Sequence, residues 1–265
     1  IGAGAIGAEF ATVWSSYGVK VTLVEMLPRV LPLEDEEVSA ELEKAFAKRG
    51  IEIHTGTKVV KIDPKDSGVD VTLSKDGTDS VLHVAQVLVA VGFRPNSKGL
   101  GLEEVGVKIN ERGFVPVDDK MATNVKGIWA IGDVTGNLML AHVASAMGIV
   151  CAESIAGKKT RKLDYTNMPR ATYSHPQVAS FGLTETQAKE KGHEVKVGKF
   201  PFQANGKALG LGDYAGFVKL IMDAKTEKLL GAHMVGPDVS ELLPELTLAA
   251  STDNNVEEIA RNVHA

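Results

Sequence analysis

Ile1-Gly2-Ala3-Gly4-Ala5-Ile6-Gly7 opens the chain as a G-x-G-x-x-G run, and together with the next eighteen residues it decides the fold. In such a run the first glycine makes a tight strand-to-helix turn, the second lets backbone approach a pyrophosphate, and the third lets the helix pack closely on the sheet. Beyond it Phe10, Val13, Trp14 and Tyr17 recur at helical intervals. They predict a helix that ends near Gly18 and points its positive amino end at the glycines. Val19-Lys20-Val21-Thr22-Leu23-Val24-Glu25 then reads as a short β-branched strand. It ends in an acid about 20 residues past the glycines, where a carboxylate accepts from both adenine-ribose hydroxyls and repels a 2′-phosphate. NAD is therefore favoured over NADP. The strand that should lead into the turn is represented only by Ile1, so the expectation is a piece of a longer protein.

The bulk properties fit an ordinary globular chain. At 265 residues, with 44% hydrophobic and 24% charged side chains, there is room for two domains, and disordered or fibrous classes are excluded. The net charge of −5 comes without a dense Lys/Arg stripe, which removes the electrostatic footprint of a nucleic-acid binder. No apolar run approaches the ~18 residues of a membrane span, and the start lacks the basic segment and cleavage site of a signal peptide. The expectation is a soluble, cytoplasmic protein without nucleic-acid or membrane partners. A single cysteine, Cys151, sits in an apolar run and reads as a buried, inert thiol in a reducing compartment. No metal site is expected.

Further along, Val38, Leu42, Ala45 and Phe46 place a helix over residues 36–49, stopped by Gly50, before the alternating strand Ile51-Glu52-Ile53-His54. From Val59 to Asp79 the pattern turns to alternating strands with Asp-Ser-Gly and Asp-Gly turns, an antiparallel ribbon laid over the sheet. Val87-Leu88-Val89-Ala90-Val91-Gly92 is continuously apolar and reads as a central parallel strand buried on both faces. Gly92 at its end is either a ligand contact or a plain turn glycine. Gly127-Ile128-Trp129-Ala130-Ile131-Gly132-Asp133 reads as a strand closing in Gly-Asp, with a helix from about Leu140 to Ala156 after it. By itself Asp133 would be a cap or turn residue, although an acid at a strand tip can also hold a sugar or ribityl hydroxyl. Lys158-Lys159-Thr160-Arg161-Lys162 reads as a solvated linker. After it come antiparallel strands over 195–202, 216–222 and 229–234, then helices over 240–251 and 256–263, with Leu242, Leu243, Leu246 and Ala249 as a packing stripe.

The order of fingerprint, Glu25, Ala90-Val91-Gly92-Phe93-Arg94-Pro95-Asn96 and Ile131-Gly132-Asp133 resembles the FAD- and NAD-dependent pyridine nucleotide-disulfide oxidoreductases, from end to end. Tyr173-Ser174-His175-Pro176-Gln177-Val178-Ala179-Ser180-Phe181-Gly182-Leu183-Thr184-Glu185 and Gly236-Pro237-Asp238-Val239-Ser240-Glu241-Leu242 are similar to the dihydrolipoamide dehydrogenase branch of that family. The resemblance implies an α/β fold with a Rossmann-like NAD-binding domain (1–94), the carboxyl-terminal part of a FAD-binding domain (95–162) and an α+β dimerisation domain (163–265).

It also implies roles. NAD would lie across Gly2, Gly4 and Gly7 and the amides of Ala5 and Ile6, with Glu9 toward the nicotinamide, Glu25 on the adenine ribose, Val59 at the adenine and Gly92 near the nicotinamide. FAD would be held by Asp133 and flanked by Met139, Leu140, Ala141 and His142. His142 taken alone would be a packed helix histidine. Members of the family pass electrons from dihydrolipoamide through a disulfide and FAD to NAD⁺, act as homodimers, and serve the lipoyl domains of 2-oxoacid dehydrogenase complexes. Here a second cysteine is lacking, and Val263-His264-Ala265 matches only the start of the family's acid–base string, so no catalytic residue is assigned and the piece itself is expected to be inactive. A related glutathione or mercuric reductase, or a non-catalytic NAD-binding dimerisation module, are the alternatives. Glu25 opposes the NADP-dependent ones.

Overall fold

The computed structural model describes residues 1–264. They form two compact units: Ile1–Val91 together with the chain from Pro169 onward, and Gly92–Met168. In the first unit helix α1 (Ala5–Ser16) starts at Gly4 and leads to strand β1 (Thr22–Val24). Helix α2 (Glu36–Lys48) and strand β2 (Glu52–His54) come next, and β2 pairs in parallel with β1, Thr22 opposite Glu52 and Val24 opposite His54. Asp35 caps α2 by accepting from Glu37 N–H, which satisfies one orphan amide of its first turn.

The face of α1 that packs is not the one its large side chains mark. Gly7, Ala8, Ala11 and Thr12 are buried, while Phe10 and Val13 are 43% and 46% exposed and Tyr17 is 84% exposed. Small residues win because the helix must come close to β1; a Cβ on Gly7 would lie 3.6 Å from the Leu23 side chain and 1.9 Å from the Gly2 carbonyl oxygen. Phe10 and Trp14, tilted against each other at 5.6 Å, line an apolar trough of about 250 Å³ with Ile1, Val21, Leu23 and Leu88.

The ribbon is built as expected. Strands β3 (Lys58–Lys65), β4 (Gly68–Lys75) and β5 (Thr78–Val84) are antiparallel, and Asp76 and Gly77 both take positive φ, as a two-residue hairpin turn requires. Val71 and Leu73 set it on Val24. The apolar run 87–92, however, is not a strand buried on both faces. Ile1 nitrogen donates to Leu88 O and Ala90 N–H to Ile1 O, both at 2.8 Å, but among the described residues no ladder extends further, and Val89 and Val91 are 56% and 70% exposed. Continuous apolar sequence becomes a central strand only where both edges and both faces are covered.

The second unit packs Val143, Met147 and Val150 of helix α3 (Ala141–Ile155) against Met121, with Trp129 and Leu140 partly buried against them. The stretch 127–133 is likewise not the expected strand. Its pairing reduces to one bridge, Ala122 with Trp129, and Gly132–Thr135 closes as a 3₁₀ turn. Cys151 is half-buried rather than fully enclosed.

The remainder of the first unit is a five-stranded antiparallel sheet ordered β6-β7-β10-β9-β8: β6 (Arg170–Thr172), β7 (Gln177–Gly182), β8 (Val195–Pro201), β9 (Phe217–Asp223) and β10 (Leu229–Gly236). One face carries Ala179, Phe181, Ala232 and Met234 against Leu243 and Leu246 of the helix Val239–Ser251. Leu242 is turned away, at 47% exposure. The other face sends Val178, Phe217 and Val235 into the core formed by Val30, Val38, Leu42 and Phe46. On that face Ser180, His233 and Lys219 lie opposite one another across three strands, all buried.

His233 Nε2 lies 2.9 Å from Leu183 O, so the ring donates there, and Nδ1 has no partner. Burial lowers its pKa below the usual 6.5; the Leu183 carbonyl and the Glu34 and Asp35 carboxylates act in the other direction. The unfolded chain therefore takes up this proton first as pH falls, and stability linked to neutral His233 is lost below about pH 6.5. His83 and His264 have raised values and act oppositely. The signature is thus a difference: between pH 7 and 5, urea unfolding should show wild type losing stability relative to His233→Gln. Parallel profiles would contradict it.

Candidate functional site

The glycine turn is shaped by backbone contacts. Gly2 has φ +93°, donates to Val24 O at 2.8 Å, and a Cβ on it would meet the Ala90 carbonyl oxygen at 2.5 Å. Gly7 is closed off by the Gly2 carbonyl. Gly4 differs: a Cβ there would find nothing within 4 Å. Two of the glycines are thus required by the fold, whereas Gly4 guards open space at the amino end of α1. The helical ladder starts with Ala8 N–H to Gly4 O at 3.0 Å, and Gly4 offers no side-chain cap, so the amides of Ala5 and Ile6 face outward from the first turn. Such an end, with its aligned peptide dipoles, favours an anion.

Glu25 stands beside this turn. Its Oε2 accepts from Ala3 N–H at 2.7 Å and its Oε1 from Leu27 N–H at 2.8 Å, and the residue is only 9% exposed. Each carboxylate oxygen keeps a second lone pair, enough for one further hydroxyl apiece. Glu25 is also held through its backbone, donating to His54 O and accepting from Thr57 N–H. Val59 is half-buried in the ribbon's contact with Val24. Glu9 is already engaged, its Oε1 accepting from Tyr173 N–H at 2.8 Å.

In the second unit Gly92 is exposed with φ +121° and open space around it. Asp133 is exposed on the 3₁₀ turn, its carbonyl accepting from Gly136 N–H. Met139 and Leu140 are half-buried and Ala141 and His142 exposed, at the start of α3, which has no side-chain cap. The first helical bond there runs from Ala144 N–H to Leu140 O at 2.9 Å.

Sequence reasoning missed Ala3 and Leu27, whose amides hold Glu25, and it missed Lys219 and Arg170 near the start of α2. Ala3 and Leu27 act through backbone and leave no side-chain signal. Lys219 could have been found by period-two reading, since it alternates with Phe217 and Ile221 and so faces the core.

A parallel βαβ unit with a glycine turn, an uncapped helix end and a strand-tip acid defines a dinucleotide-binding protein. Residues 1–148 match the family described as pyridine nucleotide-disulphide oxidoreductase, and residues 168–265 match its dimerisation domain. The chain belongs to the pyridine nucleotide-disulphide oxidoreductase family. Among its relatives, the dihydrolipoyl dehydrogenase of Mycobacterium leprae is 58% identical over 265 residues, and that of Corynebacterium glutamicum 54% identical over 269 residues. Both alignments take in 100% of this chain and 57% of the relative. Of solved structures, LpdA from Mycobacterium tuberculosis superposes with a TM-score of 0.91 at 29% identity, over 100% of this chain and 57% of that one. The HOCl-induced flavoprotein disulfide reductase RclA from Escherichia coli gives 0.92 at 28% identity, over 100% and 60%. The α/β reading, with nucleotide-binding and dimerisation parts, is correct. The chain spans 57% of the length of the dihydrolipoyl dehydrogenases it matches.

The glycines make separable predictions. Gly7→Ala, driven against the Gly2 carbonyl, should cost several kcal/mol, about 3 or more, and lower the melting temperature sharply. Gly4→Ala should melt close to wild type. Equal losses in thermal denaturation would refute this division of labour.

Proposed function

We propose that this chain supplies the NAD-binding domain (1–94), the carboxyl-terminal part of the FAD-binding domain (95–162) and the dimerisation domain (163–265) of a dihydrolipoamide dehydrogenase. The observation that carries the reading is the pairing of the open Gly4 turn with a Glu25 carboxylate fixed by two amides. Gly2, Gly4 and Gly7 and the amides of Ala5 and Ile6 would cradle the pyrophosphate of NAD. Glu25 would hold the adenine ribose, with Val59 at the adenine and Gly92 on the nicotinamide side. Glu9 would serve the nicotinamide end only by releasing Tyr173 N–H. Asp133 would bind the FAD chain, with Met139, Leu140, Ala141 and His142 beside the flavin and the start of α3 turned to it.

The flavin and nicotinamide together supply hydride transfer, while the residues here bind, orient and discriminate. With Cys151 as its one cysteine, the chain has no dithiol of its own to take electrons from dihydrolipoamide. We assign it no catalytic residue. The dimerisation domain supports a homodimer, the lipoyl domains of 2-oxoacid dehydrogenase complexes are the partners of the reading, and the cytoplasm its setting. No helix of the described residues is long and apolar enough to cross a membrane.

The reading is tested by binding. Calorimetry should show NAD⁺ preferred over NADP⁺, and Glu25→Gln should weaken NAD⁺ by about tenfold or more, the loss expected for hydrogen bonds to a charged group. The chain alone should show no lipoamide-dependent NAD⁺ reduction. Preference for NADP⁺ would remove the assignment.

A further inference from the structure

We propose that Lys219 of the dimerisation sheet is a positioning residue for the adenosine half of the dinucleotide site, acting through a continuous buried line of hydrogen bonds that ends at Glu25. The inference rests on the reading of Glu25 as the ribose ligand.

The line can be followed atom by atom. Lys219 Nζ donates to both Asp35 oxygens at 3.1 Å. Asp35 caps α2, and its carbonyl accepts from Ser39 N–H at 3.0 Å. Ser39 Oγ donates to Leu31 O at 3.1 Å, Leu31 N–H to Ala3 O at 2.8 Å, and Ala3 N–H to Glu25 Oε2 at 2.7 Å. Every residue on it is at most 9% exposed. Water therefore does not compete for these bonds.

Two features make the line more than a chain of contacts. Leu31 sits at φ +46°, a left-handed conformation that costs a branched residue about 1–3 kcal/mol and persists only where surroundings over-determine it. Its constraints are the bonds to Ala3 and Ser39, together with Glu34 N–H to Leu31 O at 2.9 Å. Lys219 is the anchor at the other end. Burial disfavours its charge, but Glu37, Glu185 and Asp35 outweigh that and raise its pKa above the usual lysine value. A second grip runs parallel, from Arg170 of β6 to Glu34 at 3.5 Å, with Arg170 steadied by Ser180 Oγ.

Without the ammonium, Glu37 keeps Lys199 and Glu185 keeps Lys189, but the buried Asp35 loses its cation and faces both acids without a partner of its own. The start of α2 then shifts, Leu31 can relax toward an ordinary conformation, and the Ala3 amide moves from its place beneath Glu25. Adenosine should lose its seat while the nicotinamide side keeps its own.

The test is calorimetry on the chain with NAD⁺, ADP-ribose and nicotinamide mononucleotide. Lys219→Met should weaken NAD⁺ and ADP-ribose alike, by about three- to thirtyfold, the range for coupling through packed networks, and leave the mononucleotide unchanged. Ser39→Ala should act in the same sense, and the double variant should lose less than the product of the two singles. Lys219→Arg, keeping the charge, should recover most of the affinity. Should Lys219→Met fail to fold by circular dichroism, Asp35→Asn, which keeps a capping side chain and drops the charge, takes its place beside Ser39→Ala. Folded variants with wild-type ADP-ribose affinity, or effects that simply multiply, would overturn the positioning role. A wild-type chain that binds neither NAD⁺ nor ADP-ribose would overturn the functional reading itself, and this inference with it.

Discussion

One buried ammonium joins the halves of the first unit. Lys219 is 2% exposed and meets Asp35, Glu37 and Glu185 within 3.1 Å. Taking an ion out of water costs several kcal/mol, and only near-ideal geometry with every donor used recovers it. Three carboxylates for three N–H groups is that geometry. The nucleotide-binding end and the dimerisation sheet consequently share one core, in which Val178, Phe217 and Val235 of the sheet pack with Leu42 and Phe46 of α2. Apolar packing supplies the bulk of the adhesion, but it is non-directional and would tolerate some sliding. The ion cluster is directional, and it fixes the sheet in register with the start of α2.

That cluster also explains why part of the site stayed hidden in the sequence. Turn, helix, strand and acid were legible because local backbone sterics dictate them: Gly2 needs positive φ and a bare Cα against Ala90, and Gly7 against Gly2. The ribbon was legible because Asp76-Gly77 has one common solution as a hairpin turn. Period two places Lys219 on the core face, but the roles of Lys219 and Arg170 leave no local signal, because their partners Asp35 and Glu34 lie far along the chain. The inward face of α1 was misjudged for a related reason. Large apolar residues mark a buried helix face only when distance to the neighbouring layer allows them, and a glycine-tight helix buries Ala8 and Ala11 instead.

The two missed strands make a complementary point about apolar runs. Residues 87–92 and 127–133 have the composition of central strands, yet a strand exists through its neighbours, and each of these has at most one short pairing among the described residues. Composition encodes the environment a segment is suited to. The trough bounded by Phe10, Trp14, Val21, Leu23 and Leu88 has the same character, apolar on its walls and bordered by extended backbone.

The candidate site itself is preorganised by these constraints. A carboxylate free in solvent could turn away from an unwelcome phosphate, and water would screen what repulsion remained. Glu25 can do neither: both oxygens are held by amides and the residue is nearly buried. A unit charge brought to ~4 Å from it, at the effective dielectric typical near a protein surface, is opposed by about 4 kcal/mol, roughly a thousandfold in affinity. Discrimination against a 2′-phosphate therefore needs no residue dedicated to rejection. It would follow from fixing the acid proposed to receive the ribose, and the Ala3 amide that fixes Glu25 is the far end of the buried line from Lys219.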